Sequence, residues 1–337
     1  MNKQIKFSII LIVSIVIIIL SVGIGSVPIP ASISIRILFY KIFSLSYQNM
    51  DPNQVSILWN LRLPRILLAF VSGGGLAVSG VIMQSILRNP LASSYTLGVS
   101  SGAAVGASIA ILFGISIFKV FTLPVFGLAF GLITVFSAIA LASRLDKNME
   151  STTIILTGMA LSLFANAMLT IIMTFAKQEL QRLVFWQLGN FASKGWSAPA
   201  ILFPIVTVLT LIAFKYGSEM DIMTFGEDQA KVSGVEMEKL KIILLSIGAV
   251  LTGVIVAIVG IIGFLDLFTP HIARRIFGSK HKYVIPASFF LGGCFMVLCD
   301  LIARVAVSSI ELPVGAVTAL IGAPFFIYLY FSKRKAR

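Results

Sequence analysis

The chain has 337 residues, of which 58% are apolar and only 12% charged, with a mean hydropathy of +1.01; a water-facing domain carries about 25% charge, so an ordinary soluble protein is excluded and the bilayer is the main solvent. The net charge of +13 does not indicate nucleic acid, because Lys and Arg stand between apolar runs rather than on one patch, as the positive-inside rule explains. Cys294 and Cys299 share one apolar run without CxxC spacing, and His271 and His281 are the only histidines, so neither a disulfide framework nor a metal site is legible.

A helical crossing needs about 20 apolar residues. In chain order the candidates are 7–27, 64–86, 97–117, 120–142, 152–176, 197–214, 240–262, 264–277, 283–303 and 312–331. These predict an all-α polytopic membrane protein with ten transmembrane helices in a single domain spanning 1–337. The first run follows Lys3 and Lys6 like a signal peptide, but it is long for one and no A-x-A-like site follows it. Between the first two spans, Ile33 to Leu45 is interrupted by Arg36 and Lys41 and is read as an interfacial helix on the outer face. Spans two and three carry the small-residue stretches Ser72 to Gly80 and Gly98 to Gly106, which permit close helix approach in lipid. The loop from Arg88 to Gly98 between them is broken by Asn89 and Pro90 yet stays apolar, predicting that it re-enters the membrane plane. Too few residues separate Lys241 from Arg274 for two full crossings, so one of that pair is a half-length helix broken around Gly260, Gly263 and Pro270.

Ten spans put both termini on one side. A cytoplasmic assignment for the termini puts 17 of the 26 basic residues in inner loops, including the terminal run Lys333, Arg334, Lys335 and Arg337. The longest polar stretch, 217–239, then lies in the cytosol. Glu227 and Asp228 open a short helical pattern there and Gly234 closes it. Two carboxylates fall inside spans: Asp300, four residues before Arg304 as an ion pair, and Asp266, without a sequence partner near the outer mouth of the broken pair. No P-loop, HExxH or nucleophile motif is present, so a membrane enzyme is a poor fit and any ATP energy must arrive through a partner.

Several segments together resemble the permease family of type II ABC importers for siderophores, haem and vitamin B12. They are LRLPRI from Leu61, GVIMQ from Gly80, RNPLA from Arg88, LGVSSGA from Leu97, FWQLG from Phe185, GEDQA from Gly226 with Gly234 and Val235, PHIAR from Pro270, and ELPVGAVTALIGAPF from Glu311. Each is weak alone, but they stand in the family's order along nearly the whole chain. The resemblance implies the type II ABC importer permease fold in the bacterial inner membrane and pairing with a second permease subunit, identical or not. It also implies two cytoplasmic ABC ATPases, an extracytoplasmic substrate-binding protein and no cofactor on this chain, ATP being used by the ATPases. It assigns ATPase coupling to Gly226, Glu227, Asp228, Ala230, Gly234 and Val235, and docking of the binding protein to Arg62, Arg65 and Arg304. Asn89, Pro90 and Leu91, with Ser151, Thr152 and Thr153, correspond to cytoplasmic gates lining the pathway. One departure stands out: Gly263-Phe-Leu-Asp266 puts a carboxylate where the family has glycine, which keeps a heterodimer open. The cargo expected is an iron-siderophore, with haem or vitamin B12 as other members of the class. A proton-coupled secondary transporter using Asp266 or Asp300 is the rival reading.

Overall fold

The computed structural model describes residues 3–25, 29–43, 50–176, 179–307 and 310–332; the basic run Lys333 to Arg337 lies outside them. Among the described residues every regular element is helical: α1 Lys3–Gly23, α2 Ala31–Phe43, α3 Pro52–Ser56, α4 Leu63–Ile86, α5 Val99–Leu112, α6 Thr122–Leu145, α7 Ser151–Phe175, α8 Leu180–Gln187, α9 Ser197–Lys215, α10 Gly217–Met223, α11 Glu227–Val232, α12 Met237–Val259, α13 Leu265–Phe277, α14 His281–Val305 and α15 Val314–Ser332. Seven of these, with α3 and α4 counted as one, are long and apolar enough to cross a bilayer; α5, α13 and α15 are the shorter ones on which a count of ten rests.

The second span starts earlier than its hydropathy suggests, because a π-helical stretch Ile57–Arg62 joins α3 to α4 without a break. Helix α2 has 13 residues, about 20 Å of rise, and so falls short of the roughly 30 Å core. Its predicted extension to Leu45 lies outside the described residues.

Helix α4 is the axis of the bundle, with 89% of its apolar window buried, whereas α6, α7 and α9 bury only about a third of theirs and present the rest outward. Its glycines make that position possible. A Cβ on Gly292 of α14 would come within 2.5 Å of the Gly73 carbonyl oxygen, and one on Gly74 within 2.7 Å of the Phe289 ring. The small-residue stripes therefore bring backbones together, which in lipid substitutes for a hydrophobic force between helices.

The half-length helix is α13, 13 residues long. Gly260 ends α12 at φ 83°, where a side chain would meet the Trp186 carbonyl. Pro270, expected to help break the chain, instead sits inside α13. Lacking an N–H, it leaves the Asp266 carbonyl without its helical donor, and the Gln84 amide fills the gap, donating to Asp266 O at 3.2 Å and Leu267 O at 3.0 Å. Irregular backbone at this depth is thus satisfied by protein.

Candidate functional site

Two ends of the bundle and the seam between them carry the polar chemistry. At one end, where α4, α6, α9 and α13 finish and α7, α12 and α14 begin, helices α10 and α11 lie across the ends of the spans. Two buried anchors hold them. Asp221 accepts from the His281 backbone N–H at 2.9 Å and pairs with His281 Nδ1 at 2.7 Å, while His281 Nε2 lies 2.6 Å from Ser85 Oγ at the end of α4. Lys241, wholly buried, pairs with Glu227 at 2.9 Å and donates to the carbonyls of Asn148 and Met149. That second loop is tied by Asp146, whose carboxyl accepts the Glu150 N–H at 2.6 Å and is held below its usual range chiefly by that bond.

The predicted coupling residues divide accordingly. Gly226 (φ 124°) and Gly234 (φ 85°) make the turns that bracket α11. Glu227 points inward to Lys241, Ala230 is buried, Val235 is half-buried with its N–H donating to Ala230 O, and Asp228 is exposed. Beside the exposed Asp228, Gln229 and Lys231, α11 and its leading turn also present two apolar side chains outward: Phe225 is 74% exposed and Val232 90%. Sequence reasoning passed over both, because the same stretch also holds Met220, Ile222, Met223, Val235 and Met237 and no local pattern sets Phe225 and Val232 apart from these. It had no signal for Lys241 or His281, whose partners are 14 and 60 residues distant.

At the opposite end, a cavity of about 720 Å³ is lined by Arg62, Arg65, Lys194, Arg304 and Glu311 among others. The three predicted docking arginines do converge here, but not as exposed forks. Arg62 donates to the carbonyls of Val22 and Gly23. Arg65 reaches Asp300 at 2.9 Å and grips Glu311 through both its carboxylate oxygens at 2.9 and 3.0 Å. Arg304 pairs with Asp300 at 3.1 Å, the expected i,i+4 contact, and donates to the carbonyls of Ile24 and Ser21. Glu311, half exposed, is the accessible charge of the group.

Between the ends runs a buried polar seam. Asn89 closes a turn by accepting the Leu91 N–H at 2.9 Å, leaving Pro90 and Leu91 exposed. The chain then turns inward, as expected of a re-entrant loop, and Ser93 and Ser94 are buried. Ser94 meets Ser79, which also contacts Gly248 O and Thr252 at 2.9 Å. Ser93 donates to Asp266, as does the Ser94 N–H at 3.3 Å. This corrects the placement of Asp266, expected unpartnered near the outer mouth. It packs against Gly80 and beneath Gln84, which lie 15 and 19 residues past Arg65 on α4, about 22 to 28 Å towards the end that carries α10 and α11. The second gate segment stays apart from the first: Thr152 is exposed, Thr153 leans 3.4 Å from Asp146, and Ser151 is half-buried. The contact joining the two regions is Gly158 against Thr96 and Leu97.

The family model described as the FecCD transport family matches residues 11–332. The chain belongs to that family. It is 38% identical to the ABC transporter permease YvrB of Bacillus subtilis over 89% of this chain and 86% of that one. It is 36% identical to the cobalamin import system permease BtuC of Halobacterium salinarum, over 81% and 73%. In three dimensions it matches a solved metal-chelate type ABC transporter in an inward-facing conformation, with a TM-score of 0.84 and 31% identity over 98% of this chain and 99% of that one. As a FecCD member it is the membrane-spanning permease of an ABC importer.

Proposed function

We propose that this permease imports an iron-siderophore or related metal chelate across a bacterial inner membrane, driven by two cytoplasmic ATPases that grip α10 and α11. A second permease subunit completes the pathway, and an extracytoplasmic binding protein delivers cargo to the arginine-lined mouth. Both termini lie in the cytosol on this reading. The observation that carries it is the handle: α10 and α11, anchored at their base by the Asp221–His281 hydrogen bonds and the Lys241–Glu227 ion pair, offering Phe225 and Val232 to a partner. Rigid anchoring lets force applied to α11 reach α4, α12 and α14, and exposed apolar anchors are what a partner's groove buries. The metal-chelate type of the structural relative supports the cargo class.

Replacing Phe225 and Val232 together by serine tests the handle. Each apolar anchor contributes about 1 to 2 kcal/mol to such an interface, so ATP-driven uptake and ATPase co-purification should fall at least tenfold with membrane insertion normal. Unchanged uptake would remove α11 from the coupling interface, and an equal effect from Asp228→Ala alone would assign the grip to the charged residue of α11 instead of to Phe225 and Val232. At the mouth, Glu311→Gln weakens the internal partner of Arg65 and should tighten docking of the binding protein several-fold. Unaltered affinity in pull-down or interferometry would place docking elsewhere.

A further inference from the structure

On the outward-facing side of the bundle an apolar groove of about 290 Å³ runs between the starts of α6 and α9. Val125 and Leu128 form one wall, Ile201 and Ile205 the other, and Val254 and Ile258 of α12 the floor. Both wall helices are among the spans that bury only about a third of their apolar windows, so the groove is open on the apolar exterior of the chain. From Ser197 to Ile205 it extends eight residues along α9, about 12 Å of rise, which is less than half of the roughly 30 Å hydrocarbon core. Its depth therefore matches one leaflet.

The groove's upper end is not apolar. Lys194 lines it, in the loop before α9 and close to Trp196, whose indole donates to Trp59 O at 2.9 Å; tryptophan at the end of a span marks the headgroup level. The Lys194 side chain is half-buried, and among the described residues its ammonium has no hydrogen bond or ion pair. Burial pushes its amine below the usual lysine range, so an arriving anion would relieve a desolvated cation.

We propose that this groove is a binding site for one anionic phospholipid of the outer leaflet, one of its two acyl chains lying between α6 and α9 and its phosphate on Lys194. Because Lys194 also lines the arginine mouth, the bound headgroup sits at the edge of that mouth and contributes negative charge there. The site depends on a one-leaflet groove ending in an unpaired cation and not on the cargo; its assignment to the outer leaflet rests on the proposed cytosolic side of α10 and α11.

Native mass spectrometry of the full chain, purified with whatever subunits accompany it and titrated with phosphatidylglycerol or phosphatidylcholine, tests the proposal. Wild type should retain one phosphatidylglycerol at concentrations at least tenfold below those needed for phosphatidylcholine. Lys194→Gln should reduce that preference to within twofold, and Ile201→Trp or Val125→Trp should remove the site for both lipids. Leu211→Trp, on the exposed face of α9 away from the groove, should change neither. The proposal is overturned if wild type holds both lipids alike, if Lys194→Gln keeps the preference, or if Leu211→Trp has the effect of the groove-filling variants. It is equally overturned if Lys194→Gln weakens binding-protein docking in lipid-free detergent and leaves phosphatidylglycerol retention unchanged, which would assign the residue to the mouth.

Discussion

Gly80→Val is expected to abolish the assembled permease. A Cβ at position 80 would overlap the Asp266 carbonyl oxygen and press on the Asp266 carbonyl carbon and Cα, and these are backbone atoms of α13 that cannot rotate away. Overpacking a core costs about 1–3 kcal/mol when side chains can yield; here α13 must move from α4, stripping the Gln84 bonds to Asp266 O and Leu267 O and the Ser93 and Ser94 contacts to the Asp266 carboxylate. Each lost partner leaves a buried polar group unsatisfied. Expression followed by detergent-solution size-exclusion should show aggregated or degraded protein, while Gly114→Val, where a Cβ meets nothing within 4 Å, should give a well-behaved peak despite its strained φ. A monodisperse Gly80→Val protein with wild-type thermal stability would show that α4 and α13 do not pack as described.

That contact also shows what the sequence could and could not disclose. The glycine stripe of span two was legible because small residues at helical spacing have one dominant use in lipid, and the half-length helix was legible because the residue count forbids two crossings. The identity of the partner was not. Gly80 meets residue 266, and no local pattern encodes a contact across that distance. The same limit produced the misplacement of Asp266: sequence order put it just past the seventh span, on the outer side, whereas the non-helical segment 260–264 returns into the bundle and starts α13 beside the re-entrant serines. The ionic anchors behave likewise. The Asp300 and Arg304 pair is four residues apart on one helix and was read directly, while Arg65, 235 residues away, was assigned to docking alone because nothing in the sequence shows that Asp300 already holds it. Helix α11 was misweighted for a different reason: charged residues at a helix start draw attention, yet Glu227 serves the interior, while Phe225 and Val232 are exposed beside Asp228.

The second large effect follows from Asp300. Its carboxylate is fully buried and pairs with Arg65 at 2.9 Å and Arg304 at 3.1 Å, in a wall shared with Arg62 and Glu311. Asp300→Ala leaves three guanidinium groups around one cavity with a single carboxylate, Glu311, on the exposed side. Breaking a buried ion pair by deleting one partner costs about 3–5 kcal/mol, because the remaining charge keeps its desolvation penalty; here Arg304 loses its carboxylate and Arg65 keeps only Glu311. Denaturation of the purified permease should register that loss, and Asp300→Asn, which still offers an amide oxygen, should lose less. Pairing Asp300→Ala with Arg304→Met should recover part of the deficit, since the double variant no longer buries that second cation unpaired. A cost below about 1 kcal/mol, the range of exposed pairs, would mean that the cluster is solvated rather than structural. Docking should respond in the opposite sense. Asp300 draws Arg65 and Arg304 into the wall, so Asp300→Asn should tighten binding-protein capture even as it lowers stability, and a variant that moves the two readouts in opposite directions separates the structural role of these arginines from their role at the mouth.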